Sequence, residues 1–394
     1  MNTNKKPRVL ITYIEAGMGH IVTAQAIADS LKRKYGDKIE VIDSYTMRDS
    51  DKQTLRNYEK YLIHEVHMHS TLPGYCRLQM TSMHLFGSKN TLKFVHSVVF
   101  RKQTNAIIDE YKKIDPQVIV VTHYFSLYAA VEYKRLYSPD TIVALYCPDN
   151  MIHGWWDNRA DVVYTNNPLA TRDAQRNKFP TIREVFYPTR AEITSSNETK
   201  EYYREKFNIP KDKFAVVIAD GAYAKGKAKS VTRCLLKTKS PITICLIAGK
   251  NEKLKAKFDK LKDKLPSNIT LITFGYTKEA PQIYAACDLF ITKAGPNAVL
   301  DSVMLGTPVL IDFYASPIEK ATKKLFIDKM NCGYYCTCPT KIRSIVEGLI
   351  DDRAPLKKIK ENLKYFDKHK NGADDIADDL ASRLNISVLE EALV

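Results

Sequence analysis

The chain has 394 residues, too many for one ordinary hydrophobic core, so two α/β domains are the starting expectation. Hydrophobic residues make up 44% and charged residues 27%, which excludes a disordered or fibrous chain. A net charge of +15 leaves nucleic acid, an anionic membrane surface or plain solubility as readings.

The basic start runs directly into a β-branched stretch at 9–13 without an apolar signal core, and no run of about 20 apolar residues occurs anywhere. A cytoplasmic location without a spanning helix is therefore expected. Residues 9–13 read as a buried strand, 21–35 as a helix and 39–42 as the next strand. Strand patterns recur at 118–122, 141–146 and 162–165, with helical stretches at 127–136 and 169–178. Strands that alternate with helices predict parallel βαβ units in a doubly wound sheet. A polar stretch at 194–200, after Tyr187-Pro188-Thr189-Arg190, marks a boundary. The rhythm restarts at 214–219, 242–247, 270–274, 289–292 and 309–312, and turns helical from about 340. The expected plan is a Rossmann-like domain over 1–190, a second over 191–375, and a closing helix at 376–394 that packs back on the first.

Residues 55–105 break this rhythm and carry seven Lys/Arg against two Asp/Glu. There Leu92, Val95, Val98, Val99 and Phe100 fall mostly on one helical side, with Lys93, Arg101 and Lys102 beside them. An apolar face with basic edges suits a helix lying in a membrane interface, although a buried helix has the same periodicity. Residues 225–264 add thirteen Lys/Arg against three Asp/Glu. No RNA- or DNA-binding motif accompanies them, so an anionic membrane surface is the expected partner and nucleic acid is not. The Cys332, Cys336, Cys338 spacing is a poor zinc signature, and His64, His67 and His69 have no supporting carboxylate pattern. No metal site is expected.

Three blocks carry chemistry. Gly17, Gly19 and His20 sit between the first strand and helix, where backbone amides can hold an anion or hydroxyl and His20 can act as a base. Lys293-Ala294-Gly295-Pro296-Asn297 stands between a strand and a helix, a place suited to a diphosphate. Asp301 follows one turn later, where a carboxylate can accept from ribose hydroxyls. Glu319 follows the strand at 309–312 at the same sheet edge and can hold sugar hydroxyls. His123 either lines the site or is a satisfied structural histidine.

Together these blocks resemble glycosyltransferase family 28, in the branch of monogalactosyldiacylglycerol synthases and processive diacylglycerol glucosyltransferases. The family's G-x-G-H turn is matched by Gly17, Gly19 and His20, and its middle block by Asp149, His153 and Trp156. Its late T-K-P-G-G-x-T-x-x-E-A block resembles 292–302, and its P-G-Q-E block resembles 317–320. Pro296 and Ala298 replace a glycine and a threonine, Asp301 replaces a glutamate, and Glu319 a glutamine. The resemblance spans roughly 8–350. It implies a GT-B fold, two Rossmann-like doubly wound domains facing across a cleft. It implies a UDP-hexose whose diphosphate meets Gly221, Lys293, Gly295 and Asn297, whose ribose meets Asp301, whose sugar meets Glu319 and whose base meets Tyr276. His20 or Asp149 is then the base, with Gly17, Gly19, His153 and Trp156 on the acceptor side. The implied reaction is an inverting transfer without metal or other cofactor to a lipid acceptor, diacylglycerol, by a protein peripheral on the inner face of the cell membrane. Rival readings are a transferase acting on an undecaprenyl-linked cell-wall precursor, a nucleotide-sugar 2-epimerase, and a catalytically weak lipid- or nucleotide-binding protein.

Overall fold

The short β-branched runs are apolar on both faces, the pattern of strands covered by helices on either side. In the computed structural model they form two parallel sheets. The structure describes residues 6–14, 18–49, 52–72, 89–189, 198–221 and 226–386, with isolated positions 74, 78, 81 and 193. The chain divides into one unit of Met1–Thr194 with Lys370–Val394, and a second of Ser195–His369.

The first sheet contains β1 (Arg8–Thr12), β2 (Glu40–Ser44), β3 (Val118–Val121), β4 (Ile142–Tyr146), β5 (Val162–Thr165) and β6 (Ile182–Glu184), ordered β2-β1-β3-β4-β5-β6. The second contains β7 (Phe214–Ala219), β8 (Ile242–Ile247), β9 (Ile269–Phe274), β10 (Leu289–Lys293), β11 (Val309–Phe313) and β12 (Gly333–Tyr335), ordered β12-β11-β10-β7-β8-β9. Each order reverses once, at β1/β3 and at β7/β10. Helices leave opposite faces there, which opens a crevice at the carboxyl ends of those strands. The central strands are wholly buried, from Val9, Leu10 and Ile11 in one core to Val216, Val217 and Ile218 in the other.

The helix Gly372–Arg383 belongs to the first unit and lies against the helix Met18–Tyr35. Ile376, Ala377 and Leu380 are buried there, and Asp378 accepts from Lys34 Nζ at 2.6 Å and from Tyr35 Oη at 2.7 Å. Asn371 clasps the chain before the boundary: its Oδ1 accepts from Thr189 N at 3.0 Å and its Nδ2 donates to Thr189 O at 3.2 Å.

The stretch expected to be one amphipathic helix is interrupted. Helix Lys89–Phe94 passes through a π turn at Val95–Val99 into helix Arg101–Ile114. The wider π turn shifts the helical phase, so the expected apolar face is split. Leu92 and His96 turn inward, Val95 and Phe100 are half-buried, and Phe94, Val98 and Val99 are 58%, 60% and 57% exposed. Lys93, Arg101 and Lys102 remain exposed around them. Among the described residues no helix is long and apolar enough to cross a membrane.

A Cβ on Gly372 would stand 1.8 Å from the carbonyl oxygen of Phe186, so backbone packs directly on backbone there. Gly372→Ala is expected to lower the stability of the first unit by about 1–3 kcal/mol, read from urea unfolding of the full chain. An unchanged midpoint would show that this close approach does not hold the closing helix.

Candidate functional site

In the second unit the switch point is built around Asp220, the residue after β7. Its carboxylate is buried and accepts from Ala228 N at 2.6 Å and Lys293 N at 3.2 Å. Burial raises its pKa, and the nearby Lys293 ammonium and these amides oppose the rise. Gly221 follows with φ +74°, a conformation that favours glycine, and a Cβ there would meet Lys293 Cε at 3.8 Å.

Lys293 ends β10, and its Nζ donates to Glu319 Oε1 at 2.9 Å. The other oxygen of Glu319 accepts from Ala315 N at 2.6 Å, and Ser316 caps the short helix Pro317–Lys323. Beyond Lys293, Gly295 is the N-cap of helix Pro296–Met304. Its φ of −71° is ordinary, but a Cβ there would meet nothing within 4 Å, so the space beside it is open. Asn297 is half-buried in the first turn, and Asp301 is buried one turn further on. Lysine, helix N-terminus and open space together suit a phosphate-bearing ligand.

Tyr276 stands apart from this cluster. It follows the edge strand β9, with β8 and β7 between it and β10. It is 53% exposed, with Lys250 Nζ 5.5 Å above its ring.

In the first unit Gly19 and His20 lie inside the first helix, which begins at Met18, rather than in the turn before it. Gly17 lies outside the described residues. His20 Nδ1 is 2.6 Å from the carbonyl oxygen of Thr122, and Thr122 Oγ1 donates back to His20 O at 3.0 Å. A carbonyl only accepts, so Nδ1 carries a proton, and in the neutral ring the lone pair then lies on Nε2. Asp149 is buried; burial raises its pKa, while the charge of His20 lowers it. These two groups are therefore electrostatically linked. His153 and Trp156 form an aromatic group with Tyr124, with ring centroids 5.6–6.0 Å apart. The Trp156 indole N–H is buried without an acceptor among the described residues.

Two groups stand outside the sequence motifs: His123, for which the sequence left a site-lining and a structural reading open, and Asp312, which it did not single out. His123 caps helix Tyr124–Leu136, accepting from Phe125 N at 3.3 Å, and lies 5.0 Å from the His20 ring. Burial and then the charges of His20, His153 and His96 lower its pKa well below the usual value, so it is a neutral ring. The signal was a histidine at a strand end followed by an apolar helix. Asp312, at the end of β11, is wholly buried, and neither carboxyl oxygen is bonded by another described residue. Burial, and then the charge of Asp220, raises its pKa to about 8. A lone aspartate at a strand end gave no sign of this.

Residues 225–379 match the glycosyltransferase family 28 C-terminal domain. The chain is similar to monogalactosyldiacylglycerol synthase 2 of Arabidopsis thaliana, 22% identical over 88% of this chain and 74% of that one. It is also similar to the processive diacylglycerol beta-glucosyltransferase of Bacillus licheniformis, 22% identical over 92% of this chain and 91% of that one. In fold it resembles Phytolacca americana UGT2, solved with UDP-2fluoro-glucose and pterostilbene, with a TM-score of 0.59, 10% identity and coverage of 96% of this chain and 100% of that one.

A pH effect on stability follows from Asp312. Its folded pKa of about 8 lies above the unfolded value near 4, so the native state holds a proton that the unfolded chain has lost. The stability it contributes is full below about pH 4 and falls by up to roughly 1.4 kcal/mol per pH unit as pH rises towards 8. Asp312→Asn removes the titration. The gap in urea midpoint between the variant and the natural chain should widen from pH 5 to pH 8 in favour of the variant; a constant gap contradicts this.

Proposed function

Residues 225–379 of this chain are a glycosyltransferase family 28 C-terminal domain, and from that premise we propose that the protein moves a hexose from a UDP-sugar to a lipid hydroxyl, with diacylglycerol as acceptor. The named activities of the plant and bacillar relatives support this choice of acceptor class. The observation that carries the proposal is the ion pair of Lys293 with Glu319 beside the N-terminus of helix Pro296–Met304. A cation, a helix N-terminus and a carboxylate here meet the needs of a pyrophosphate next to a sugar.

In this reading the pyrophosphate takes Lys293 from Glu319 and accepts from the amides that open the helix. Glu319 is then released to accept from sugar hydroxyls. Gly221 and Gly295 leave room for the phosphates, and Asn297 donates from the first helical turn. Asp301 holds the ribose, and Tyr276 stacks on the nucleobase. The acceptor oxygen attacks the anomeric carbon from the face opposite UDP, the bond to UDP breaks, and the configuration inverts. His20 Nε2 or the Asp149 carboxylate takes the hydroxyl proton. The negative charge that gathers on UDP is met by Lys293 and fixed amides, an electrostatic role that needs no metal ion. Gly17, Gly19, His153 and Trp156 shape the acceptor side.

The exposed Phe94, Val98 and Val99, ringed by Lys93, Arg101 and Lys102, are the surface we assign to an anionic bilayer. In the same reading the protein is peripheral on the inner face of the cell membrane, which the exposed apolar residues with basic neighbours support.

Incubation with UDP-glucose, UDP-galactose or UDP-GlcNAc and diacylglycerol micelles should give a hexosyl lipid by mass spectrometry, undiminished by EDTA. His20→Ala and Asp149→Ala are each expected to lower kcat by roughly 10²–10⁴-fold, the usual loss of a positioned base. Turnover near the natural rate in both variants would remove them from the mechanism. Replacing Phe94, Val98 and Val99 together with serine should weaken co-sedimentation with phosphatidylglycerol vesicles by about tenfold or more. Unchanged co-sedimentation would place the membrane contact elsewhere.

A further inference from the structure

Asp312 is a buried acid with nothing from any other described residue to satisfy it. Buried polar groups are nearly always bonded, so such an exception calls for a cause. The strand pairing supplies its position. β10 and β11 pair Thr292 with Ile311, but Lys293 with Phe313, so Asp312 is the extra residue of a bulge. Bulges re-aim a side chain, and they gather next to sites. This one lies opposite the step from Thr292 to Lys293, at the carboxyl edge where the donor half-site is built.

The charged groups around it fall into two sets. Asp220, from the end of β7, and Lys227, which precedes helix Ala228–Leu235, act on Asp312 directly. Lys293, from β10, and Glu319, from helix Pro317–Lys323, act on Asp220. Asp220 already accepts from two backbone amides, so its negative charge has compensation. A second carboxylate beside it has none of that kind. Lys227 is already engaged, donating to Thr337 O at 2.5 Å. Two neighbouring buried carboxyl groups of this kind do not ionise together at neutral pH.

We propose that Asp312 is a positioning residue of the donor half-site: its carboxyl group stays protonated while the nucleotide is bound, and its ionisation loosens the hold on the pyrophosphate. This rests on reading the second unit as the UDP-sugar site. While Asp312 is neutral, Lys293 and the helix N-terminus face a pyrophosphate without a second carboxylate charge beside Asp220 at the ends of β7 and β11. When the O–H bond of Asp312 breaks, the proton passes to water and a second negative charge remains behind the site. That charge opposes the pyrophosphate in a region of low dielectric and competes for the lysines that would meet it. The pKa of about 8, set by burial and Asp220, puts this change just above neutral pH.

The test is calorimetric titration of UDP into the full chain between pH 7 and 9, for the natural protein, Asp312→Asn and Lys227→Met. The natural protein should bind UDP at pH 7, and its Kd should rise about tenfold by pH 9, the change expected when binding requires one proton on a group of that pKa. Asp312→Asn should bind at pH 7 with similar affinity and keep it as pH rises. Lys227→Met removes a cation that lowers the pKa of Asp312, so its inflection should move to higher pH. Parallel curves for the natural protein and Asp312→Asn overturn the role of Asp312 while leaving the donor site standing. If Asp312→Asn does not fold, an inflection unmoved in Lys227→Met overturns it instead. Absence of UDP binding by the natural protein at pH 7 overturns the donor reading, and this inference with it.

Discussion

The carboxylate of Asp220 holds the start of helix Ala228–Leu235 and the end of β10 through the backbone amides of Ala228 and Lys293. A buried carboxylate is costly unless fully bonded, so these two contacts decide where both elements sit. Gly226 is part of the same constraint: a Cβ there would lie 2.5 Å from the Asp220 carboxyl group, so a side chain would displace it. With its backbone pinned, Lys293 can direct its ammonium only within the reach of its stem, and Glu319 lies within that reach. The donor chemistry assigned to this unit depends on that fixed origin.

The first unit meets a similar requirement with different atoms. His20 and Thr122 bind one another reciprocally across the β1/β3 switch point, and this sets the ring nitrogen that carries the proton. His123, the next residue, spends Nδ1 on capping a helix and remains neutral through burial. The two rings meet edge to face, with centroids 5.0 Å apart. Asp149 is the buried acid linked to His20: burial raises the Asp149 pKa and the charge of His20 lowers it.

Much of this was legible in the sequence because parallel strands between helices are short, apolar and β-branched. The runs at 118–122 and 214–219 lie within a residue of the observed strands Val118–Val121 and Phe214–Ala219. Two of the four edge strands were not legible: Ile182–Glu184 and Gly333–Tyr335 are three residues each and only partly apolar, whereas the longer edges Glu40–Ser44 and Ile269–Phe274 were read. Helix starts were read late where the cap was a histidine, as at His123, because that residue type is not a habitual cap. The π turn at Val95–Val99 left no signature in hydrophobic periodicity, so the exposed apolar group there includes Phe94 and excludes Leu92. Lys293 and Glu319 were visible because a lysine and a carboxylate at successive strand ends fit a known pattern. Asp312 was not, since only the bulge in strand pairing distinguishes it from a solvated aspartate.

The account is tested most directly by a crystal structure of the full chain with a UDP-hexose bound. It predicts the pyrophosphate at the N-terminus of helix Pro296–Met304, with Lys293 Nζ moved from Glu319 onto a phosphate oxygen and Glu319 turned to the sugar hydroxyls. A nucleotide seated elsewhere, with Lys293 still paired to Glu319, would contradict it.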